Sequence, residues 1–563
     1  RSINIFIVKS IKKYTVLTLI SAMTFASSFG QESPKIIKII QAGGSTQDQA
    51  KFPGANILVK RNDVRVDLLH EGALIKSDLS YFYPKKNFFR AKGSVVFTQG
   101  DTLKMTCDHL EYDGNLKLAI AWGDVFLERP DMNLKTDTLY LDRLNSKAYY
   151  NTRGVILDEK SKLTSNRGIY FMDQKKYRFI SNVKIENPEY DLKSQQLDYF
   201  TELNKAYFYG PTTIIGKDYD IYCEKGAYET KIQKGNFQKN AIILYNNKEI
   251  RGDSLYFEKE RNYAAGTNNV SIIDTLNKSV INGHYGEIFK AKDSAIITRR
   301  GIARNIIDND SLFIHADTLI ATGPDEERIL RAYYGVKIFK SDLRGKSDSL
   351  HLNQKTGLIK LLKIPLSKIE NRTFNISQKN GRNPILWFGR SQMSGDEILL
   401  TSNVKTKKLD SLKIFGNSWI IEKDSINVEG FNQIKGGILN GSFTNGKLKD
   451  IEILKNTEVI YYMYSDDESE LIGIDQTTCS RLTMVTANNQ IEDITFYVSP
   501  DGDLFPEKDL PANERILEGF IWREEERPNE IDDLFSEEDN LYVPKEINAI
   551  VTPEGFLPKI LNP

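Results

Sequence analysis

A short motif returns along this chain at nearly constant spacing, and that period restricts the fold more than any single residue does. An alternating apolar segment opens on a polar residue at Asp108-His-Leu-Glu-Tyr112, Asp137-Thr-Leu-Tyr-Leu141 and Asp253-Ser-Leu-Tyr-Phe257. Looser copies open at Asn166, Ser194 and Glu224, so successive openers fall about 29 residues apart. Further copies begin at Asp317, Asp348 and Asp396. Between openers lies a β-branched run, often entered through Gly or Asn: Gly93-Ser-Val-Val-Phe97, Gly123-Asp-Val-Phe-Leu127, Gly154-Val-Ile-Leu157 and Asn182-Val-Lys-Ile185. It continues as Ile242-Ile-Leu244, Val270-Ser-Ile272 and Val336-Lys-Ile338. Neither run can bury its apolar face alone, so neighbouring units must stack. The expected fold is all-β: an elongated stacked β-repeat of about a dozen units. Each unit supplies two strands of about five to seven residues, stacked in parallel and ending in antiparallel hairpins.

Alternate residues of a strand face opposite sides, which assigns an inward set. In the first run it holds Val95 and Phe97, Val125 and Leu127, Val155 and Leu157, Val183 and Ile185, Ile242 and Leu244, and Val270 and Ile272. In the second it holds Leu110 and Tyr112, Leu139 and Leu141, and Leu255 and Phe257. No long stripe of helical period follows residue 30. The register breaks once, between Asp348 and Asp396, where the polar segment 367–384 reads as an inserted loop. Asn445-Gly446 is a strong hairpin turn and Asn488-Asn489 a weaker one. The layout is then a signal peptide (1–30), a linker (31–50), the repeat stack (51–455), a hairpin region (456–523) and an acidic, mostly disordered tail (524–563).

The signal reading rests on Lys9, Lys12 and Lys13, the apolar stretch 14–25, and Ser28-Phe29-Gly30 at a cleavage site. It places the protein in the periplasm, in association with the outer membrane. Charge is balanced, 76 basic against 76 acidic residues, which argues against a nucleic-acid partner. Cys107, Cys223 and Cys479 read as small buried hydrophobes, and Cys107 and Cys223 are too many strand spacings apart to bond. The five histidines, His70, His109, His284, His315 and His351, lie in different units, and no nucleophile or metal-binding spacing accompanies them. The repeated Asp reads as a turn residue bonding its own backbone rather than as a calcium ladder, because Asn166, Ser194 and Gly283 replace it freely. No catalytic residue, metal or cofactor is expected.

The Gly-x-Val-x-Leu run followed by Asp-x-Leu-x-Tyr, over roughly residues 50–440, resembles the OstA-like (LptA-type) family of lipopolysaccharide-transport proteins. Leu471-Ile-Gly-Ile-Asp475, Ser480-Arg-Leu-Thr-Met484 and Gly519-Phe-Ile-Trp-Arg523 are similar to the carboxy-terminal part of the long Bacteroidota form. The resemblance implies a folded-over sheet, a β-taco or β-jelly-roll, whose apolar groove carries the acyl chains of lipopolysaccharide or a related glycolipid. The groove would be lined by the inward set above. It implies a non-enzymatic carrier or bridge in outer-membrane assembly, meeting like-folded envelope proteins through its terminal strand edges. Those edges are expected around Ile57 to Val66 and between Gly416 and Ile453. A structural or adhesive surface repeat protein is the alternative, and a polysaccharide-active β-solenoid enzyme a more distant one.

Overall fold

The computed structural model describes residues 35–544, apart from 131, 246, 277, 369–381, 466–469 and 488–489. The signal segment, most of the inserted loop and Asn488-Asn489 lie outside the described residues. The fold is all-β, as the repeat requires: the described residues form 36 strands in one continuous sheet. Its units differ from the expectation in one respect, because neighbouring strands are antiparallel throughout the described chain rather than parallel. The connections are tight turns of a few residues, which can join only antiparallel neighbours.

Most of the short runs are halves of longer strands, although Gly154–Leu157 is a separate short strand. Phe88–Gln99 pairs along its length with Leu103–Asp113. The ladder skips once, between the pairs Lys92–His109 and Val95–Cys107, so Gly93 and Ser94 face the single residue Asp108. This is a two-against-one bulge. Gly93 and Ser94 take φ of 83° and 43°. The same device recurs at Gly123/Asp124, Lys239/Asn240, Asn268/Asn269, Arg299/Arg300 and Gly416/Asn417. The recurrent polar opener is the residue opposite the bulge. Asn269 Nδ2 donates to Asp253 at 2.9 Å, Asn240 Nδ2 to Glu224 at 2.8 Å and Asn417 Nδ2 to Asp396 at 3.1 Å.

Opposite ends of the strands meet, so the sheet is folded lengthwise along this line of bulges. His70 Nδ1 reaches the Tyr112 hydroxyl (2.7 Å), Arg328 donates to Asp274 (2.7 Å), and the Asp308 amide donates to the Lys407 carbonyl (2.7 Å). We call the two halves wall A (for example residues 95–99 and 103–107) and wall B (88–92 and 109–113). The core lies between them, and the turns form a rim along each side of the open mouth. At Gly123 (φ 81°) an added Cβ would sit 2.8 Å from the Asp108 Cβ. Gly123→Ala is therefore expected to cost about 1–2 kcal/mol, read as a lower midpoint in urea unfolding.

The chain ends also depart from the expected layout. Lys38–Gln41 and Gly44–Thr46, in the expected linker, pair with Val66–His70 and Asn56–Val59. They form the outermost strand, which covers the expected edge at Ile57 to Val66. Val64 itself closes a small turn with Arg61. At the other end Lys447–Tyr464 and Leu471–Ala487 continue the same ladder. The segment from Gly416 to Ile453 is thus interior, and the terminal edge is Gln490–Tyr497 with Asp501–Phe505. Within the expected loop, Arg382 is ion-paired with Asp348.

Residues 506–544 are not a loose tail. They run back across the outer face of wall A, strand after strand. Buried Gln433 donates to the Arg515 carbonyl (2.8 Å) and accepts from the Leu517 amide (2.9 Å). Buried Gln392 does the same with Ile521 (2.8 Å) and Arg523 (2.7 Å). Each side-chain amide thus stands in for a neighbouring strand's peptide group. Phe520 and Trp522 pack on Phe431, and Glu526 pairs with Lys346 and Arg523. Arg300 lies over the Phe535 ring (3.6 Å), and Asp539 meets His315 (3.3 Å). The acidic run read as solvated because its basic partners sit some 180 to 240 residues earlier in the chain. All three cysteines are buried and unbonded, as expected for Cys107 and Cys223.

Candidate functional site

The interior between the walls divides into three apolar clusters along the fold. The first, from Ile37 to Tyr150, is filled: Phe89, Phe97, Leu110 and Val125 have no exposed surface. The third, from Val270 to Met484, is filled likewise by residues such as Ile314, Leu350, Leu412 and Leu482. The middle one, from Phe179 to Leu255, is not. Here the walls stand apart around a cavity of about 780 Å³. Wall B contributes Tyr177, Phe179, Leu197 and Phe208, and wall A contributes Ile185, Leu192, Ile214 and Ile221. Rings and aliphatic chains line both walls, with Tyr190 and Tyr219 on wall A and Leu197 on wall B, and polar rim residues such as Ser161, Asn187, Thr201 and Thr230 lie above them.

The mouth is bridged on both sides of this cavity. Toward the amino-terminal end Glu71 on rim A accepts from Lys117 on rim B (3.2 Å), and its carbonyl accepts from Arg143 on rim B (3.2 Å). Burial alone would raise the Glu71 carboxyl, but Lys117 and Lys35 outweigh it and hold it below the usual range. Toward the carboxy-terminal end Arg328 holds Asp274 across the mouth, and Lys248 approaches Asp325 (3.4 Å). Over the cavity the bridging is thinner. Tyr219 meets Phe257 (5.3 Å between rings) and bonds Tyr228, while Glu189 and Lys259 are 3.9 Å apart and largely solvated. Burial raises the hydroxyls of Tyr190, Tyr219 and Tyr228, so these phenols stay neutral at physiological pH. The arrangement is a laterally accessible apolar chamber rather than a trough running the length of the fold.

The residues assigned inward from the sequence fall in three places. Val95, Phe97, Leu110, Tyr112, Val125, Leu127, Leu139 and Leu141 lie in the first filled cluster. Val183 and Leu255 are in the middle cluster with Phe257 packed against it, and Val270 and Ile272 are in the third. Of the whole set only Ile185 lines the cavity. Four residues face outward. Leu157 is 45% exposed, while Ile156 between it and Val155 points into the cavity. Ile242 and Leu244 pack with Tyr222 on the outer face, and Ala241 and Ile243 take the inside. The cause is phase. Gly93 and Gly123 belong to the bulge, whereas Gly154 is already a strand residue paired with Thr136 and Ser165. Likewise the phase after Lys239/Asn240 starts at Ala241, not at Ile242. The aromatic concentration that marks the cavity (Tyr177, Phe179, Tyr190, Tyr199, Phe208, Tyr219, Tyr228) was present in the sequence and went unread. Among the described residues no three His, Cys, Asp or Glu side chains converge as a metal-holding group.

A sheet folded along a line of bulges around an apolar chamber defines the class: a β-taco with an internal apolar space. Residues 36–195 match the family described as OstA-like protein, so the amino-terminal part of the chain is OstA-like. No curated protein matches the chain in sequence. Among solved structures it is similar to LptH from Pseudomonas aeruginosa, described as the LptA homologous periplasmic component of the conserved lipopolysaccharide transport device. That likeness is at 18% identity and a TM-score of 0.13, over 23% of this chain and 76% of LptH, and at that score it carries no argument.

Proposed function

We propose that the protein is a periplasmic, non-enzymatic carrier of lipopolysaccharide or a related glycolipid in outer-membrane assembly. The apolar chamber between the walls is the observation that carries this reading, and the OstA-like match of residues 36–195 supports it. Each methylene moved from water into the chamber is worth about 0.8 kcal/mol, so a ten-carbon stretch of one acyl chain gains roughly 8 kcal/mol before ordering costs. The head group stays at the rim, beside Ser161, Asn187, Thr201 and Thr230. Transfer is passive, and energy for direction comes from partners. Because filled core flanks the chamber on both sides, acyl chains come and go through the mouth rather than slide from end to end. Like-folded envelope proteins would pair with the terminal strands at 38–46 and 490–505.

Mass spectrometry of the natively purified protein is expected to find a glycolipid. A photo-crosslinking residue at Phe208 is expected to capture it in cells, while the same residue at Leu139 or Leu141, in filled core, or at Tyr140 does not. Lipid-free protein with no labelling at Phe208 would leave the structural or adhesive repeat protein as the better reading.

A further inference from the structure

One rim of the mouth differs from the other. Four of the five hairpin tips of rim B between residues 114 and 233 carry an exposed aliphatic side chain: Leu116 (57% exposed), Leu144 (63%), Leu203 (64%) and Ile232 (40%). They belong to the turns 114–117, 143–146, 201–204 and 230–233. The turn between the second and third carries Gln174 followed by Lys175 and Lys176. An exposed leucine alone is ordinary. Four at equivalent tips form a line, and hairpins two strand spacings apart set them about 10 Å from one another per unit. Rim A of the same hairpins has two comparable side chains, Leu157 (45%) and Ile215 (42%), both at strand ends rather than at turn tips.

Charge divides the rims in the same sense. Across the rim B turns 142–147, 171–176, 200–205 and 229–234, Lys and Arg outnumber Asp and Glu. Several of these cations are paired within the rim, as Lys147 is with Asp142 and Lys205 with Glu229. The facing rim A turns 99–103, 128–133, 157–162 and 186–190 lean acidic, with Asp101, Glu128, Asp158, Glu159, Glu186 and Glu189 against Arg129, Lys160 and Lys162. Some of these acids are paired within the rim, as Glu186 is with Lys162 and Glu189 with Lys217. The chamber opens between the two rims, with Thr201, Thr230 and Gln233 of the aliphatic, basic rim B on one side of its mouth.

We infer that rim B is a membrane-contact edge, which seats its hairpin tips in an anionic bilayer surface beside the mouth of the chamber. Isolated tips separated by polar residues lack the contiguous apolar centre that a protein interface needs. A fluid lipid surface admits each tip separately, and its anionic head groups attract the lysines while repelling rim A. Apposition of this rim to a leaflet would bring acyl chains to the chamber without crossing water. The inference rests on the carrier reading for the purpose of the contact, not for the contact itself.

The test is flotation of the envelope-purified protein with vesicles of phosphatidylcholine and phosphatidylglycerol, compared with phosphatidylcholine alone. The wild type is expected to float with the anionic vesicles. The triple variant L144S/L203S/I232S is expected to partition roughly tenfold less well, with an unchanged circular dichroism spectrum and unchanged lipid in the chamber. K175Q/K231Q/K234Q is expected to lose the preference for anionic vesicles. A triple variant that floats like the wild type overturns the inference and leaves the carrier reading standing. So does a wild type that binds neither kind of vesicle. Rim-dependent flotation by a protein whose chamber holds no lipid supports the membrane edge and removes the carrier reading.

Discussion

Ala206→Trp is expected to fold and to lose its lipid, whereas Ala121→Trp is expected to lose about 3 kcal/mol or more of stability. Both alanines are buried and point inward from wall B. Ala121 belongs to the first cluster, where Phe89, Phe97 and Leu110 leave no room. An indole there must push side chains off their rotamers or part the walls. Ala206 faces the chamber beside Phe208 and Tyr228, so the same indole enters open space, buries its own apolar area and occupies the volume an acyl chain needs. Urea unfolding gives the stability arm, and mass spectrometry of co-purified lipid gives the other, with an expected loss of roughly tenfold or more. Equal destabilisation by both changes would mean that the chamber is not open space. A stable Ala206→Trp protein retaining all its lipid would place the ligand elsewhere.

Replacing Gln433 or Gln392 with Ala is expected to release the segment 506–544 from wall A while the walls stay folded. Each glutamine both donates to and accepts from the backbone of the segment, and its loss leaves a carbonyl and an amide without partners in a covered site. The cost per glutamine is about 2–4 kcal/mol. Hydrogen exchange should accelerate across 510–544, with little change in Phe431–Thr444. Unchanged exchange would mean that Phe520, Trp522 and Phe535 hold the segment without the glutamines. Acid adds a second handle. Burial raises the Glu526 carboxyl, but Arg523 and Lys346 outweigh it and hold it at about 2, against an ordinary 4.5. Burial likewise raises the Asp539 carboxyl, but hydrogen bonds from His315 and Ser536 outweigh it and hold it well below the usual range. A depressed carboxylate stabilises the docked state above its unfolded value and loses that contribution as pH falls toward its folded one. Docking should therefore loosen between about pH 4.5 and 2, and Glu526→Gln should flatten that dependence.

Much of the candidate site was legible residue by residue but not as a place. Val95, Phe97, Leu110, Leu139 and Leu255 were assigned inward and lie inward, because a bulge of constant form resets the side-chain phase in each unit. Val155, Leu157, Ile242 and Leu244 were misassigned where the glycine or asparagine entering a run stood at a different step of the bulge. Phase alone does not separate a filled interior from an open one. Phe97 and Ile214 occupy corresponding inward positions, yet one touches packed neighbours and the other a chamber. That difference depends on how far apart the walls stand.

The sequence by itself determined the all-β repeat, its period of about 29 residues and the OstA-like character of its amino-terminal part, because strand parity and turn chemistry act between near neighbours. Only the tertiary structure decided that the sheet folds along its bulges, that the mouth is clamped at Glu71 and at Arg328 but open between, and that the acidic segment covers wall A. Each of those features joins residues some 45 to 240 positions apart. Local periodicity has no access to such distances, and wall separation, charge pairing and volume act only once the walls face each other.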